Sequence, residues 1–181
     1  MGFGIKAEHL PEYTYKNYLL WEGNWEIIHG VPYAMSPGPS IKHQRLNTLI
    51  TRLLNELMDD CGKCEAIMPV DWKISETTVV QPDVSIICQE SGNENYIDFA
   101  PTVIFEILSP STQKKDRTLK YDLYEDEGVK YYVIVSPEDE QVEVFQLNGK
   151  AYELKLKTGT EKFVFNLEDC SVEFDFSKIW A

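Results

Sequence analysis

The chain has 181 residues, 43% of them hydrophobic, and its 30 acidic and 17 basic side chains give a formal net charge of −13. This length and apolar content predict one globular domain over residues 1–181, while the negative charge argues against strong non-specific binding to nucleic acid. No apolar run approaches the roughly 18 residues of a membrane span, and no signal peptide is recognisable, so we expect a cytoplasmic protein without membrane contact.

The first 60 residues predict two helices separated by a hairpin. A short helix begins at Thr14, and the alternating apolar residues of "WEIIHGVPYAM" predict two strands around a His-Gly turn. The loop "SPGPS" ends the hairpin, and its Ser40 is a natural N-cap. Between Ile41 and Asp60, apolar residues recur every three or four positions, which indicates an amphipathic helix.

Two cysteines follow this helix in the segment "CGKC", at Cys61 and Cys64. Their spacing matches half a zinc site or a redox motif, but Cys88 and Cys170 stand alone in the sequence and offer no second pair. Four cysteines are also too few for a disulfide scaffold at this length. We therefore interpret all four as incidental or structural thiols.

The rest of the chain predicts strands around one further helix. "EAIMPVDWKI", "DVSIIC" and "TVIFEIL" each indicate a strand, and the last two are apolar enough to lie centrally in a sheet covered on both faces. "STQKKDRTLKYDLYEDEG" indicates a helix that opens at Ser111 or Thr112 and ends at Gly128, followed by the buried strand "KYYVIVS". "QVEVFQL", "AYELKL" and "KFVFNL" predict an antiparallel β extension. We divide the domain into an N-terminal helix and hairpin (1–40), a core (41–136) and a β tail (137–181).

Two carboxylates are placed unusually for apolar strands. Asp83 heads one run and Glu106 lies inside the next, where a buried carboxylate needs a cation or several hydrogen-bond donors. Neighbouring strands can bring both to one end of the sheet, and one or two carboxylates with several waters are a typical Mg²⁺ site.

The helix after Glu106 carries Asp116, Lys120 and Tyr124 on one face, so Lys120 can reach the sheet end. There it could orient a metal-bound water or stabilise the transition state of phosphodiester hydrolysis. Simpler roles stay open: Glu106 paired with a core lysine, Asp83 capping a turn, and Lys120 paired with Asp116 in solvent.

The segments "QPDVSII", "PTVIFEILSPST" and "DRTLKYDLYEDEGVKYYVIVSP" resemble the Uma-two family of restriction-endonuclease-like proteins in the PD-(D/E)XK nuclease superfamily. The opening "WEIIHGVPYAMSPGPSIKHQRL" is also similar to that family, so the resemblance covers roughly residues 10 to 150. It implies an α/β fold, with an αβββαβ core whose mixed central sheet is flanked by helices. It also implies Mg²⁺-dependent DNA cleavage, with Mn²⁺ as a substitute, and metal-ligand roles for Asp83 and Glu106.

The resemblance also bears on other positions. The superfamily usually has its lysine two residues after the glutamate, where this chain has Leu108, so Lys120 from the following helix would substitute. The main-chain carbonyl of Ile107 becomes a further metal-ligand candidate. Glu26 matches a glutamate of the family's opening motif and is an accessory candidate. His43, in the first turn of the long helix, could independently donate to a phosphate.

Basic residues cluster beside the predicted site despite the acidic total. Lys114, Lys115 and Arg117, with Lys120, could steer a phosphate backbone, which predicts weak, salt-sensitive DNA binding. Cutting both strands would need two active sites, so a homodimer is consistent with this prediction.

The sequence thus favours a metal-dependent endonuclease that hydrolyses DNA through a metal-activated water. One alternative is an inactive module of the same fold that binds nucleic acid or a protein partner. Another is a hydrolase acting on RNA or on a smaller phosphate ester.

Overall fold

The computed structural model describes residues 11–35, 38–168 and 170–180. Its α-helices are α1 (Tyr15–Tyr18), α2 (Ile41–Met58), α3 (Gln113–Arg117) and α4 (Leu119–Asp126). The strands are β1 (Trp25–Ile28), β2 (Val31–Ala34), β3 (Glu65–Ile67), β4 (Asp71–Ser75), β5 (Thr78–Val80), β6 (Val84–Ile87), β7 (Tyr96–Ile97), β8 (Val103–Ile107), β9 (Tyr131–Ser136), β10 (Gln141–Asn148), β11 (Ala151–Thr158), β12 (Lys162–Asn166) and β13 (Ser171–Asp175). A short 3-10 helix follows at Phe176–Ile179.

A mixed six-stranded sheet, ordered β11-β10-β9-β8-β6-β3, forms the centre of the fold. Strands β8 and β9 pair in parallel, and the other neighbours in this sheet are antiparallel. All residues of β6, β8 and β9 are buried, as the almost continuous apolar runs predicted. The α/β fold with a mixed sheet and a C-terminal antiparallel extension is therefore confirmed.

Two hydrophobic clusters cover the faces of this sheet. On one face, α2 packs with the β12–β13 hairpin over Val84, Phe105 and Val133. On the other, α4 packs over Ile104 and Tyr132. Because side chains alternate along a strand, Glu106 shares the α4 face with Ile104.

The N-terminal helix and hairpin form as predicted. The β1–β2 turn places His29 and Gly30 at φ angles of 50° and 75°, the left-handed region that tight hairpins require. The hairpin joins a second sheet, ordered β2-β1-β5-β4-β7. Ser40 caps α2 by accepting a hydrogen bond from the His43 main-chain nitrogen at 3.1 Å. Ser36 and Pro37 of the predicted loop lie outside the described residues.

Three predicted elements differ from the structure. "EAIMPVDWKI" is two strands, β3 and β4, because Pro69 between them cannot donate to a ladder, and the two strands join different sheets. The helix predicted over residues 111–128 breaks at Thr118, whose φ and ψ of −128° and −83° are not helical. The tail also holds a further strand, β13, which pairs with β12 in a separate two-stranded sheet.

The interpretation of the four cysteines as incidental or structural thiols was wrong. Cys61 is bonded to Cys170 and Cys64 to Cys88, and the chain has no free cysteine. These partners lie 109 and 24 residues apart in the sequence, so their pairing follows from the fold and not from local spacing.

Helices in the described ranges all fall short of the length and apolar character that crossing a lipid bilayer requires.

Candidate active site

Strands β6 and β8 place Asp83 and Glu106 side by side. In the antiparallel register Val84 is opposite Phe105, so Asp83, one residue earlier, adjoins Glu106, one residue later. Directly opposite residues project to the same face of a sheet. Both acids line one cleft of about 670 Å³, together with Ile107 and Lys120.

Asp83 is fixed through one of its two carboxylate oxygens. Its Oδ2 accepts a hydrogen bond from the main-chain nitrogen of Ile107 at 2.7 Å and lies 3.2 Å from His43 Nε2. Four positions further along α2, Asn47 donates from Nδ2 to the Asp83 carbonyl at 3.1 Å. His43 and Asn47 both lie near the start of α2, which therefore helps to fix the position of Asp83.

Glu106 shows the same one-sided pattern. Lys120 Nζ donates to its Oε1 at 2.8 Å, and the Tyr124 hydroxyl donates to the same oxygen at 2.7 Å. Neither bond uses Oε2. Burial, together with the neighbouring charges of Asp116, Asp83 and Glu26, holds the pKa of Glu106 well above its ordinary value, although Lys120 acts in the opposite direction.

Lys120 is a buried ammonium surrounded by three carboxylates. Its Nζ lies 2.8 Å from Glu106 Oε1, 2.8 Å from Glu26 Oε1 and 4.0 Å from Asp116 Oδ1. Burial alone would lower the pKa of Lys120, but these three acids outweigh it and raise that pKa well above its ordinary value. The lysine is therefore charged, and its first role in this structure is to hold the carboxylates together.

Glu26 enters the site from the hairpin and is fully buried. Its Oε1 accepts from the main-chain nitrogen of Gln81 at 2.9 Å, and its Oε2 pairs with Lys115. Burial alone would raise its pKa, but Lys120 and Lys115 outweigh it and hold the pKa below its ordinary value. The structure thus brings Glu26 to Lys120 and not directly to Asp83.

Two buried polar atoms of the site have no hydrogen-bond partner among the described residues: Asp116 Oδ1 and His43 Nδ1. Burial raises the pKa of Asp116. For His43, burial acts to lower the pKa, but the hydrogen bond and charge of Asp83 raise it above its ordinary value. The sequence predicted that His43 donates to a phosphate, and in the structure its Nε2 contacts Asp83.

The predicted basic cluster is dispersed. Lys115 lines the cleft but is paired with Glu26, while Arg117 pairs with Glu143 on β10. Lys114 is exposed outside the cleft lining. Lys42 at the cleft rim donates to the Pro137 carbonyl at 2.7 Å.

The donor set fits a hard divalent cation. Asp83 and Glu106 bring carboxylate oxygens to the cleft, while Glu26, Glu106 and Asp116 surround Lys120. In the described ranges, no three His, Cys, Asp or Glu side chains form a cluster that could hold a metal by themselves. Main-chain and water oxygens would have to complete such a shell, as is usual for Mg²⁺.

Sequence reasoning assigned no role to Tyr124, Asn47 or the main-chain nitrogen of Gln81. For the two side chains a signal was present, because Asn47 follows His43 by four residues, as Tyr124 follows Lys120. The contribution of Gln81 depends on tertiary structure alone.

Comparisons with known proteins identify a family and a fold. The family model "Uma2: Putative restriction endonuclease" matches residues 15–167. "Uncharacterized protein slr1290" from Synechocystis sp. is 31% identical over 151 residues, covering 76% of each chain. The crystal structure of "a putative nuclease belonging to DUF820" from Anabaena variabilis covers 92% of this chain and 97% of its own, with a TM-score of 0.73. At 17% identity, the latter likeness shows the fold alone.

Proposed function

The chain belongs to the Uma2 family, described as "Putative restriction endonuclease", and from this membership and the cleft geometry we propose a metal-dependent endonuclease that hydrolyses DNA phosphodiester bonds. A magnesium ion, replaceable by manganese, would be held by Asp83, Glu106 and the Ile107 carbonyl.

One observation carries the proposal. Asp83 and Glu106 are neighbours on adjacent strands, and in each carboxylate two protein groups contact a single oxygen, Oδ2 or Oε1. The other oxygen of each acid makes no hydrogen bond with the described residues and is not among their fully buried unpaired atoms, so each acid keeps one oxygen accessible from the cleft. The remaining oxygens, Oδ1 and Oε2, are suited to a shared cation in the cleft.

The side chains divide the work of hydrolysis. When bound, the cation supplies Lewis-acid polarisation of the scissile phosphate and activation of the attacking water. Lys120 keeps Glu106 and Glu26 in place and supplies positive charge against the charge that develops on the phosphate. His43 lines the cleft with its Nε2 3.2 Å from Asp83 Oδ2, so it would position Asp83 beside the cation. The partly exposed Lys115, paired with Glu26, also lines the cleft and would contact the substrate.

A second function, a non-catalytic module that binds nucleic acid or protein, is favoured by two observations. Leu108 occupies the strand position where the superfamily has lysine, and Lys120 is already engaged by carboxylates. A module of this kind would bind without cutting.

A nicking assay separates the two functions. Supercoiled plasmid, linear DNA and RNA are incubated with Mg²⁺, Mn²⁺ or EDTA and with wild type, Asp83→Asn or Glu106→Gln. Asp122→Asn is the matched control, because it neutralises an exposed acid of α4 outside the cleft lining.

We expect metal-dependent nicking by wild type and the control, and a loss of at least 100-fold in both site variants. Equal nicking by all four proteins would reject the proposed site. Binding without nicking under every metal condition would support the module. A homodimer, which would supply two active sites for cutting both strands, is tested by measuring the mass of the active species in solution.

A further inference from the structure

Tyr124 is a fully buried tyrosine whose hydroxyl has a specific partner. It donates to Glu106 Oε1 at 2.7 Å, and Lys120 donates to the same oxygen at 2.8 Å. A carboxylate oxygen has two lone-pair positions in its plane, and two strong donors fill both of them.

The tyrosine ring is itself held by packing. Its centroid lies 5.8 Å from that of Trp72 and 5.2 Å from that of Tyr132, the latter in an edge-on arrangement at 82°. With no exposed surface, the ring cannot turn its hydroxyl to another acceptor without repacking these neighbours. The hydrogen bond to Glu106 is therefore a fixed feature of the α4 face.

This geometry restricts the terminal torsion of Glu106. With Lys120 alone, which reaches several acceptors, the carboxylate could rotate and offer either oxygen to the ammonium. A second donor from a rigid ring selects one orientation. We propose that Tyr124 is a positioning residue: it keeps Oε1 of Glu106 bound to Lys120 and Tyr124 and so presents Oε2 to the divalent cation. This inference rests on the proposed metal site.

The test measures Mn²⁺ binding by calorimetry on the full chain without DNA, so that it does not depend on catalysis. Tyr124→Phe removes only the hydroxyl. Tyr152→Phe is the matched control, since that hydroxyl also makes a buried hydrogen bond, to the Val129 carbonyl at 2.8 Å, but has no contact with the site. Urea unfolding of both variants records whether they remain folded.

We expect Tyr124→Phe to weaken Mn²⁺ binding about 10-fold, the usual scale for a residue that orients a metal ligand, with binding by Tyr152→Phe unchanged. The same change placed on a Glu106→Gln background should have little further effect. Unchanged Mn²⁺ binding by Tyr124→Phe would show that the hydroxyl does not orient Glu106. Tighter binding would show that the hydroxyl only withdraws charge from the carboxylate, and either result would overturn the positioning role. Absence of Mn²⁺ binding by wild type would overturn the proposed function itself, and this inference with it.

Discussion

At the scale of single residues, the site is a cluster of buried charges that also affects the stability of the fold. Lys120 is buried among Glu26, Glu106 and Asp116, so removing its charge would leave three acids without their main counter-ion. Removal of one partner from a buried ion pair is costly because the remaining charge stays desolvated. The lysine therefore affects folding as well as chemistry.

Lys120→Met should accordingly lower the free energy of unfolding by about 3 to 5 kcal/mol at pH 7, measured by urea denaturation. Lys155→Met is the control, because Lys155 pairs with Glu153 on the exposed surface of β11 and should change stability by less than about 1 kcal/mol. Equal, small losses in the two variants would show that Lys120 is not the counter-ion of a buried cluster.

The sequence showed part of this cluster in advance. A glutamate inside "VIFEIL" needs a buried partner, a core lysine was one partner left open, and the helical spacing placed Lys120 towards the end of the sheet. The choice of Oε1 by both donors was not predictable, because it depends on the angle at which α4 crosses the sheet. The contact between His43 and Asp83 likewise requires knowledge of where α2 begins relative to β6.

At the scale of elements, α3 is attached to the β tail. Arg117, expected to contact DNA, pairs instead with Glu143 on β10, which also lies 3.1 Å from Lys157. Burial alone would raise the pKa of Glu143, but Arg117 and Lys157 outweigh it and hold the pKa below its ordinary value. A lowered carboxyl pKa stabilises the folded state above the unfolded pKa, and this stability is lost as pH falls.

Glu143→Gln should therefore cost about 1 kcal/mol of unfolding free energy at pH 7, a modest value because Arg117 is partly exposed. The difference from wild type should shrink as pH falls below about 4.5, the ordinary value for a glutamate. Urea titrations at pH 7, 5, 4 and 3 measure it, with Glu173→Gln, an exposed partner of Lys162, as the control. A difference that grows towards low pH would contradict the pairing.

The strands were easier to predict than their sheet partners. Two-sided burial leaves a continuous apolar run, which is why β6, β8 and β9 could be assigned from sequence. Pro69 separates two strands that join different sheets, and only tertiary contacts decide that division. The break at Thr118 is also tertiary, since "DRTLKYDLY" contains neither glycine nor proline.

At the scale of the whole molecule, the two disulfides close loops of very different length. Their partners are 109 and 24 residues apart, and the chain-entropy model assigns more stabilisation to the longer loop. Without reductant, the paired change Cys61→Ser with Cys170→Ser should lower the free energy of unfolding by about 5 kcal/mol, and Cys64→Ser with Cys88→Ser by about 3.5 kcal/mol.

Urea unfolding of both double variants, with wild type in dithiothreitol as the reference for complete reduction, measures this ordering. Thiol titration of unfolded, non-reduced wild type should find no free thiols. Four free thiols would contradict the pairing directly.

The negative net charge limits the affinity of the proposed nuclease for DNA. The chain carries −13, and the three lysines of the cleft are paired: Lys115 with Glu26, Lys120 with Glu26 and Glu106, and Lys42 with Glu138 at 3.8 Å. Few phosphates can then be neutralised, so the slope of log affinity against log salt should be shallow, on the order of −1 to −2.

Changing the sign of Glu138 tests whether DNA uses this cleft, because its side chain is 84% exposed at the rim. Glu138→Lys removes the acid beside Lys42 and adds one cation at the rim, which should raise affinity for a short duplex about 10-fold at 50 mM salt and steepen the slope by about one unit. Glu153→Lys makes the same change in net charge on β11, outside the cleft lining, and should have a much smaller effect because exposed charges are screened beyond about 10 Å. Anisotropy titrations over a series of salt concentrations measure both variants. Equal gains would mean that DNA responds to total charge alone, and that the cleft is not where the backbone binds.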